Sequence, residues 1–599
     1  MSYEQKTVYL CNPATERGKK IMMHGDPKGK NFLYCRGKYI VVRDIANPLE
    51  GFLYSEHPCK TTCAKYAPSG NYVASCDEKG TCRIWDTLGE DKMLKYEYNA
   101  LRGAISDVCW TEDSKRIAVC GVGAEDVARA FLWDSGSSVG QLTGHAKQVN
   151  SLDIKQQRPY RLVTAGEDCE VGFYANVPFK RQAMLTDHKK YVNCARYSPN
   201  GELFVTADAG GKAFVYDGKE GTVKGELNGG EASAHKGGIY GISWLDDSRQ
   251  LLTCSADKTC RLWDVVDNKL ITTFSFPQTL ENMQVGCLAQ GEHLISVSLN
   301  GYINYLDKAN PDTPLRVIRG HSQNVTALGV SEDAGMMYTG STEGRICAWK
   351  IGSPEPTVLE NTHKSEVVAM EVVDGAAYSI GIDDMFFKTP VGEEKFGAGV
   401  KLPSSPSALA VGKGVAVVAC LKHVAVVRDD KKVFELEIDY EASGISISAA
   451  GTVAVGGNDK KVHLYTLDGD ALTESGTYDV LEPVTCVSYS PDGAYLAVGD
   501  AKRQVYGFET ASGSMKFDRW KYHSAKITSL AWTPDSQHLA SGSLDTNIYI
   551  WSVAKPMSKI KMVAAHPSGM VTAVKWVSDN VLFSSGYDGC VRTWEVKHV

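Results

Sequence analysis

Short runs of alternating apolar and polar residues recur along the whole chain, and turn-forming residues separate them. Near the carboxyl end, ITSLAW, HLASGS and NIYIW are separated by TPDS and SLDT. Alternation with period two, bounded by Pro, Asp, Ser and Gly, is typical of half-buried β-strands joined by tight turns. The pattern therefore predicts strand, turn, strand, turn, strand, many times over.

These strands belong to a repeat with two fixed spacings. In three copies a histidine precedes an aspartate by 22 residues, and a tryptophan follows that aspartate after 6. The spacing resembles the WD repeat, a four-stranded blade of about 40–45 residues. In such a blade the histidine can bond the turn aspartate, and a Ser or Thr and the tryptophan extend that polar chain. We therefore expect nine residues to be structural: His235, Asp257, Trp263, His523, Asp545, Trp551, His566, Asp588 and Trp594.

Counting third-strand endings gives fourteen blades. The endings are Asp44, Trp85, Trp133, Tyr174, Tyr216, Trp263, Tyr305, Trp349, a degenerate one near Phe387, Val427, Tyr465, Phe508, Trp551 and Trp594. Fourteen blades in 599 residues is about 43 residues each, within the range of the repeat. One ring holds about four to eight blades. We predict an all-β chain with two seven-bladed WD-repeat β-propellers, at residues 15–312 and 313–599.

The boundary and the chain ends follow from local sequence. Pro311 and Pro314 interrupt strand pairing in LDKANPDTPLRVIRGH, which marks a connection. The last blade ends at Trp594 with only EVKHV after it, so it lacks a fourth strand. KTVYLC, residues 6–11, is strand-like. We expect a strand from residues 1–14 to complete the last blade and cover its open edge.

Composition narrows the class of protein. Lys and Arg number 64 and Asp and Glu 71, a net charge of −7 with no basic block, which disfavours a nucleic-acid partner. Seventeen cysteines without a C-x-x-C pair indicate buried thiols in a reducing compartment. The start, MSYEQKT, has no apolar run typical of a signal peptide, and no stretch of about 18 apolar residues occurs. We expect a cytoplasmic monomer without a membrane partner.

Two short motifs match the sequence patterns of enzyme sites but not their structural context. Gly136–Gly140, GSSVG, fits the G-x-S-x-G elbow of hydrolases, which needs a strand-to-helix turn. Here it follows a third blade strand and is expected to be a hairpin turn. Gly121-Val122-Gly123 starts like a dinucleotide fingerprint but lacks the third glycine. We predict no enzyme, no cofactor, and no catalytic, cofactor-binding or metal-binding residues.

Several loop segments are similar to one family of WD-repeat proteins. DPKGKNFLY, WTEDSKRIAV, FLWDSGSSVG, RPYRL and GYINYLD resemble actin-interacting protein 1 over essentially the full length. The loop residues of these segments are not demanded by blade packing. The resemblance implies a protein that binds actin filaments decorated with ADF/cofilin and promotes their severing and disassembly without catalysis. It also implies an association with the actin cytoskeleton.

The resemblance further implies a binding surface in blades three to five of the first propeller. It assigns partner-binding roles to Glu125, Glu167, Asp168, Phe179, Lys180 and Tyr191. Asp168 alternatively has the spacing of a structural blade aspartate, and Phe179 alternatively packs between blades. Tyr191 follows two lysines in an entry loop and is expected to be exposed.

Three positions in this surface depart from the family pattern. Ala124, Val127 and Arg181 stand where the family has basic or aromatic residues. These departures predict altered binding to actin and cofilin.

Two other function classes stay open. A generic WD-repeat scaffold would assemble another intracellular protein complex, and an adaptor segment outside the blades would favour it. The blades account for nearly all residues, which leaves no such segment. A propeller enzyme would need acid, base or metal residues converging on the central channel, and the sequence shows no such set.

Overall fold

A computed structural model of the chain describes residues 2–89, 91–123, 126–331, 333–412 and 414–598. These residues form 56 β-strands and a single 3₁₀ helix, Leu280–Asn282. The strands make fourteen four-stranded antiparallel sheets. The all-β class and the fourteen blades are therefore confirmed.

The chain divides into two compact units, Asn12–Ser322 and a second unit of Gln323–Val599 with Met1–Cys11. Each unit holds seven sheets, which we number as blades 1–7 and 8–14 in chain order. Blades 1–7 are β2–β5 (Met23–Gly25, Asn31–Arg36, Tyr39–Asp44, Gly51–Tyr54), β6–β9 (Thr61–Tyr66, Tyr72–Asp77, Thr81–Asp86, Leu94–Asn99), β10–β13 (Ile105–Trp110, Arg116–Gly121, Ala128–Leu132, Ser138–Gln141), β14–β17 (Val149–Ile154, Arg161–Gly166, Val171–Ala175, Lys180–Leu185), β18–β21 (Val192–Tyr197, Leu203–Asp208, Ala213–Asp217, Val223–Glu226), β22–β25 (Ile239–Trp244, Gln250–Ser255, Thr259–Asp264, Lys269–Ser275) and β26–β29 (Gln284–Gln290, His293–Ser298, Ile303–Leu306, Arg316–Ile318).

The second unit is built in the same way. Blades 8–13 are β30–β33 (Val325–Ser331, Met336–Ser341, Ile346–Lys350, Thr357–Val358), β34–β37 (Val367–Val373, Ala376–Gly381, Met385–Pro390, Val400–Lys401), β38–β41 (Pro406–Gly412, Val415–Cys420, His423–Arg428, Lys431–Glu437), β42–β45 (Ala442–Ile447, Thr452–Gly457, Lys461–Asp468, Ala471–Asp479), β46–β49 (Val484–Tyr489, Tyr495–Asp500, Val505–Glu509, Met515–Trp520) and β50–β53 (Ile527–Trp532, His538–Ser543, Ile548–Ser552, Lys559–Met562). Blade 14 consists of β54–β56 (Val571–Ser578, Val581–Gly586, Val591–Lys597) with β1 (Ser2–Tyr9) as its outer strand.

Each unit closes into a ring. The innermost strands of blades 1–7 pack in sequence from β2 to β26, and β26 packs against β2. The innermost strands from β30 to β54 do the same, and β54 packs against β30. Two seven-bladed propellers result.

Burial within a blade explains the strand pattern. In blade 4 the two middle strands, β15 and β16, are almost wholly buried, whereas the outer strand β17 begins with three exposed residues. Both faces of a middle strand pack against neighbouring blades, so such strands are nearly continuous runs of apolar residues. The core thus lies between blades, as in the cluster that joins Cys109 of blade 3 to Leu152 of blade 4.

The boundary between the units lies later than the predicted one at residue 312. Arg316–Ile318 is the outer strand of blade 7 and pairs with Ile303, Asn304 and Tyr305. The prolines at 311 and 314 therefore precede this strand and do not separate the two units.

The nine residues expected to be structural form three polar networks. In blade 6, His235 Nδ1 lies 3.0 Å from Asp257. His235 Nε2 lies 2.7 Å from Thr253 Oγ1, and Trp263 Nε1–H donates to the same oxygen at 3.0 Å. His523, Asp545, Ser541 and Trp551 repeat this arrangement in blade 13, and His566, Asp588, Ser584 and Trp594 in blade 14.

These networks hold their aspartates ionised. Burial alone would raise the pKa of Asp545. Hydrogen bonds from His523 and from the Ser524 amide outweigh this effect and lower the pKa to about 2. A buried carboxylate with all its partners in place fixes the tight turn in which it lies.

One counted ending differs from the others. Trp263 faces Leu251 across blade 6, and in blade 3 the corresponding place, opposite Ile117, is taken by Phe131. Strand β12 ends at Leu132, so Trp133 lies beyond the third strand. Trp133 follows the end of the third strand directly, as counted from the sequence, but its Trp-Asp pair is out of register for the polar network of the blade.

Candidate partner-binding surface

The blades of the first propeller have two ends, which we call the upper and lower faces. At the upper face the second strand turns into the third, and the fourth strand connects to the next blade. Glu167 and Asp168 follow β15, and Tyr191 precedes β18, so all three lie at the upper face. Phe179 and Lys180 lie where β16 turns into β17, at the lower face. The length of β17, about 20 Å at 3.3 Å per residue, separates the two groups.

Asp168 is part of the blade rather than of the surface. Its carboxylate lies 2.9 Å from His145 Nδ1 and accepts the Ala146 N–H at 2.9 Å. His145 Nε2 lies 2.7 Å from Thr164 Oγ1. The Asp168 side chain is 9% exposed. Asp168 is therefore the structural turn aspartate of blade 4, and its assignment as a partner contact is wrong.

Phe179 is buried between two blades. Its side chain is 2% exposed and belongs to the apolar cluster that joins blades 3 and 4. The Phe179 amide donates to the Val139 carbonyl at 2.9 Å, which bridges the two blades at the lower face. A buried ring cannot contact a partner directly, so its assignment as a partner-binding residue is wrong. Its neighbours Lys180 and Arg181 are exposed.

Tyr191 is the most exposed aromatic residue of the upper face in blades 3–5. Its side chain is 48% exposed, and Lys147 Nζ lies 5.6 Å from the centre of its ring. The Tyr191 carbonyl accepts the Ala209 N–H at 2.9 Å, which holds the backbone. Lys189 and Lys190 are exposed before it. A fixed backbone with an exposed amphipathic ring suits an interface anchor.

Glu167 is half-buried at the upper face. Its carboxylate accepts a hydrogen bond from Gln148 Nε2. Both residues line the upper mouth of the central channel, a cavity of 450 Å³ that Lys60 and Glu78 also line. Glu167 thus presents charge at the mouth of the channel.

Glu125 lies outside the described residues, as does Ala124. The positions on either side, Gly123 and Asp126, line an upper-face cavity of 310 Å³. His145, Lys147 and Gln148 line it too. His145 and Gln148, which contact Asp168 and Glu167, therefore line the same cavity as Gly123 and Asp126.

Below the mouth, the channel contains a charged network that the sequence analysis missed. Asp107 Oδ2 lies 2.8 Å from Arg196 Nη1 and accepts the Ser151 hydroxyl at 2.7 Å. Lys20 crosses the channel and donates to the carbonyls of Asn150 and Asn193 at 2.6 and 3.1 Å. One feature of the sequence could have indicated this network. The innermost strands ISDVCW and VNCARY are mostly apolar, yet each contains one charged residue, Asp107 or Arg196.

This network keeps Asp107 charged. Burial would raise the pKa of Asp107, but Arg196, Lys20 and Lys65 favour the carboxylate and lower the pKa to about 2. The network joins blades 3, 4 and 5 to the segment before blade 1, so it stiffens the part of the ring that carries Glu167 and Tyr191.

The described residues contain no group of three or more His, Cys, Asp or Glu side chains placed to hold a metal ion. Within the same residues, no helix is long and apolar enough to cross a membrane. The upper face of blades 3–5 presents charged groups and one exposed aromatic side chain, Tyr191.

Comparisons with known proteins agree with the fold. The WD domain, G-beta repeat family matches residues 51–86, 136–174, 179–217, 230–264, 312–350, 476–506, 517–552 and 557–595. WD repeat-containing protein 1 of Gallus gallus is 43% identical over 608 aligned residues, with all of both chains covered. WD repeat-containing protein 1-A of Xenopus laevis is 44% identical over the full length of both chains.

A relative whose name states a binding partner is also similar over the whole chain. Actin-interacting protein 1 of Drosophila melanogaster is 41% identical over 604 aligned residues, which cover 100% of this chain and 99% of the relative. Together with the fourteen blades, this similarity shows that the chain belongs to the WD-repeat family of actin-interacting protein 1 and WD repeat-containing protein 1.

Proposed function

We propose that this chain binds actin filaments decorated with ADF/cofilin and promotes their severing and disassembly without catalysing a reaction. The full-length similarity to Actin-interacting protein 1 of Drosophila melanogaster carries the proposal. Function on a propeller depends on the loops that the rigid ring presents. We place the chain in the cytoplasm, on the actin cytoskeleton, as a monomer without cofactor, nucleic-acid or membrane partners.

We infer that the contact surface is the upper face of blades 3–5. Tyr191 supplies the exposed aromatic anchor, and Glu167 supplies an acidic group at the mouth of the channel. Glu125, which lies outside the described residues, is the second acidic residue that we assign to the contact. Asp168 and Phe179 support this surface from within, because one holds the upper turn of blade 4 and the other packs blade 4 against blade 3. Lys180 is exposed at the opposite end of blade 4, so we leave it outside this contact surface.

Binding alone suffices to promote disassembly. A protein that binds the severed or cofilin-bound state more tightly than the bare filament shifts the equilibrium by that difference in affinity. A hundredfold preference corresponds to about 2.7 kcal/mol. The chain then needs no bond-breaking chemistry.

High-speed co-sedimentation with actin filaments, with and without ADF/cofilin, tests this function. We expect actin to move to the supernatant only when both proteins are present. Replacing Glu125, Glu167 and Tyr191 together with alanine should abolish the effect, whereas Tyr522→Ala, at a similarly exposed tyrosine of the second propeller, should not. Full activity in the triple variant would exclude this surface. No effect of the unaltered chain would leave a WD-repeat scaffold with another partner.

A further inference from the structure

One tryptophan is set apart from the other ten by its indole group. Within the described part of the chain, the indole N–H of every other tryptophan donates to an oxygen inside the fold. Trp133 Nε1–H donates to none, and it is not among the buried polar atoms. Its side chain is half-buried, so the ring is held while the N–H is open to solvent.

The register of blade 3 explains this difference. Phe131 fills the place that a blade tryptophan occupies elsewhere, opposite Ile117. Trp133 lies two residues later, past the end of β12, where its amide donates to the Lys115 carbonyl at 3.3 Å. Packing of the blade therefore does not require an indole at this position.

Three tyrosines of blade 2 surround Trp133, and we call the four residues the aromatic cluster. The Tyr72 ring lies 4.7 Å from Trp133, and the Tyr96 ring lies 5.5 Å from it, edge to face. Tyr96 and Tyr98 are parallel, with centres 6.1 Å apart. Tyr96 is 40% exposed, and the nearby Met93 and Leu94 are exposed as well. The outer surface of blades 2 and 3 thus carries packed aromatic rings, of which Tyr96 is exposed and the other three are partly buried.

The aromatic cluster has the chemistry that extended proline-rich segments require. Such segments form the polyproline II helix, whose backbone carbonyls have no internal partner and whose rings pack on aromatic side chains. Trp133 supplies a free donor for one carbonyl. Asp134, next in sequence, is exposed and lies near Tyr98, and its carboxylate forms no ion pair with any described residue. An unpaired carboxylate at the edge of the aromatic cluster favours a basic residue beside the prolines.

We propose that the aromatic cluster binds a proline-rich segment of a partner protein in the polyproline II conformation. Trp133 Nε1–H donates to a carbonyl of that segment, Tyr72 and Tyr96 pack against its proline rings, and Asp134 attracts a Lys or Arg that flanks the prolines. This surface lies on the outside of blades 2 and 3, away from Tyr191 and Glu167, and does not depend on the proposed action on actin.

Fluorine NMR on the full chain labelled with 5-fluorotryptophan tests the proposal directly. The resonance of Trp133 is the one that Trp133→Phe removes. The probe is a synthetic peptide of about ten prolines followed by one arginine, long enough for three turns of the helix. The matched control peptide has the same length and arginine but glycine and serine in place of proline. We expect the proline peptide to shift the Trp133 resonance selectively and saturably, and the control peptide to leave it unchanged.

Variants then separate the individual contacts, with the affinity for the same labelled peptide measured by fluorescence anisotropy. Trp133→Phe keeps the ring but loses the donor, so affinity should fall about fivefold, the value of one hydrogen bond. Tyr96→Ala should weaken binding further. Asp134→Asn should weaken binding of the arginine-containing peptide but not of a peptide of prolines alone. Tyr522→Ala in the second propeller is the matched control and should bind normally.

Three results would overturn the proposal. They are no peptide-dependent shift of Trp133, an equal shift with the glycine–serine peptide, and a Trp133 resonance that depends on protein concentration without peptide. The last result would identify a second copy of the chain as the occupant of the aromatic cluster.

Discussion

Gln5 lies directly opposite Trp594, on two antiparallel strands from opposite ends of the sequence. Strand β1 is thereby the outer strand of blade 14, and Val8, Tyr9 and Leu10 are buried. Tyr9 also packs edge to face on Trp349 of blade 8, at 5.2 Å, and its hydroxyl accepts the Gly352 N–H at 2.9 Å. The amino-terminal segment therefore joins blade 14, the last blade of the second propeller, to blade 8, the first blade of the same propeller.

Deleting residues 2–10 should open the second propeller. Three buried apolar side chains at about 2 kcal/mol each make the loss roughly 6 kcal/mol, and β56 would gain an unpaired edge. Proteolysis of the truncated chain should release fragments of residues 323–599 first, while 12–322 resists. Equal resistance of both units in the truncated chain would contradict this role. Deleting only residues 2–4, which are exposed, is the control.

Phe179 and Tyr191 should separate stability from binding. Phe179→Ala removes a fully buried ring between blades 3 and 4, so the free energy of unfolding should fall by about 3–5 kcal/mol. Tyr191→Ala changes an exposed side chain and should alter stability by about 0.5 kcal/mol or less. At a temperature where both variants are folded, Tyr191→Ala should weaken binding to cofilin-decorated filaments, and Phe179→Ala should leave that binding nearly unchanged. A folded Phe179→Ala variant that has lost binding, beside a fully active Tyr191→Ala, would reverse our assignment.

The sequence predicted the fold well where the repeat is complete and also where it is degraded. Blade 10 has no His–Asp pair at the repeat spacing, yet VAVVAC and HVAVVR form its middle strands because nearly all their residues are buried on both faces. The WD-repeat family does not match this blade. Period-two alternation and buried apolar runs therefore define a blade even without its polar network.

The candidate surface was harder to predict because the side chains of adjacent residues in a β-strand or turn can point to opposite sides of the blade. The sequence pairs Phe179 with Lys180, and the turn buries one and exposes the other. Glu167 and Tyr191 are 24 residues apart in sequence but both lie at the upper face. The chain runs down β16 and back up β17 between them, and so returns to the same face. Contacts such as Lys20 with Asn150 join distant segments, and no local pattern indicates them.

Replacing Asp107 should destabilise the first propeller alone. Asp107→Ala leaves Arg196 and Lys20 in the channel without their carboxylate, and an uncompensated buried charge costs about 3–5 kcal/mol. Asp107→Asn keeps the shape and the acceptor for Ser151, so it should cost less. Hydrogen exchange should show faster opening of blades 3–5 and unchanged protection in residues 323–599. Uniform loss of protection in both units, or none, would rule out a local role for this network.

Acid should destabilise blade 2 through His57. The ring lies 2.7 Å from Ser75 Oγ and 3.3 Å from Asp77, and its side chain is fully buried. Burial lowers the pKa of His57 to about 4, although Asp77 opposes this shift. In the unfolded chain the pKa returns to about 6.5. The unfolded state therefore binds more protons between these values, so stability is fully present above pH 6.5 and falls as the pH drops towards 4.

A pKa that falls from 6.5 in the unfolded chain to about 4 in the folded one corresponds to a loss of at most about 3.4 kcal/mol on acidification. Denaturant unfolding monitored at pH 7.5, 6, 5 and 4.5 measures the slope. His57→Gln should be less stable at pH 7.5 but should lose less stability on acidification, because the group that takes up the proton is gone. His293→Gln, at an exposed histidine, should keep the slope of the unaltered chain. If His57→Gln retains the full acid slope, the titration belongs to other buried histidines, such as His235 and His566, whose pKa values burial also lowers.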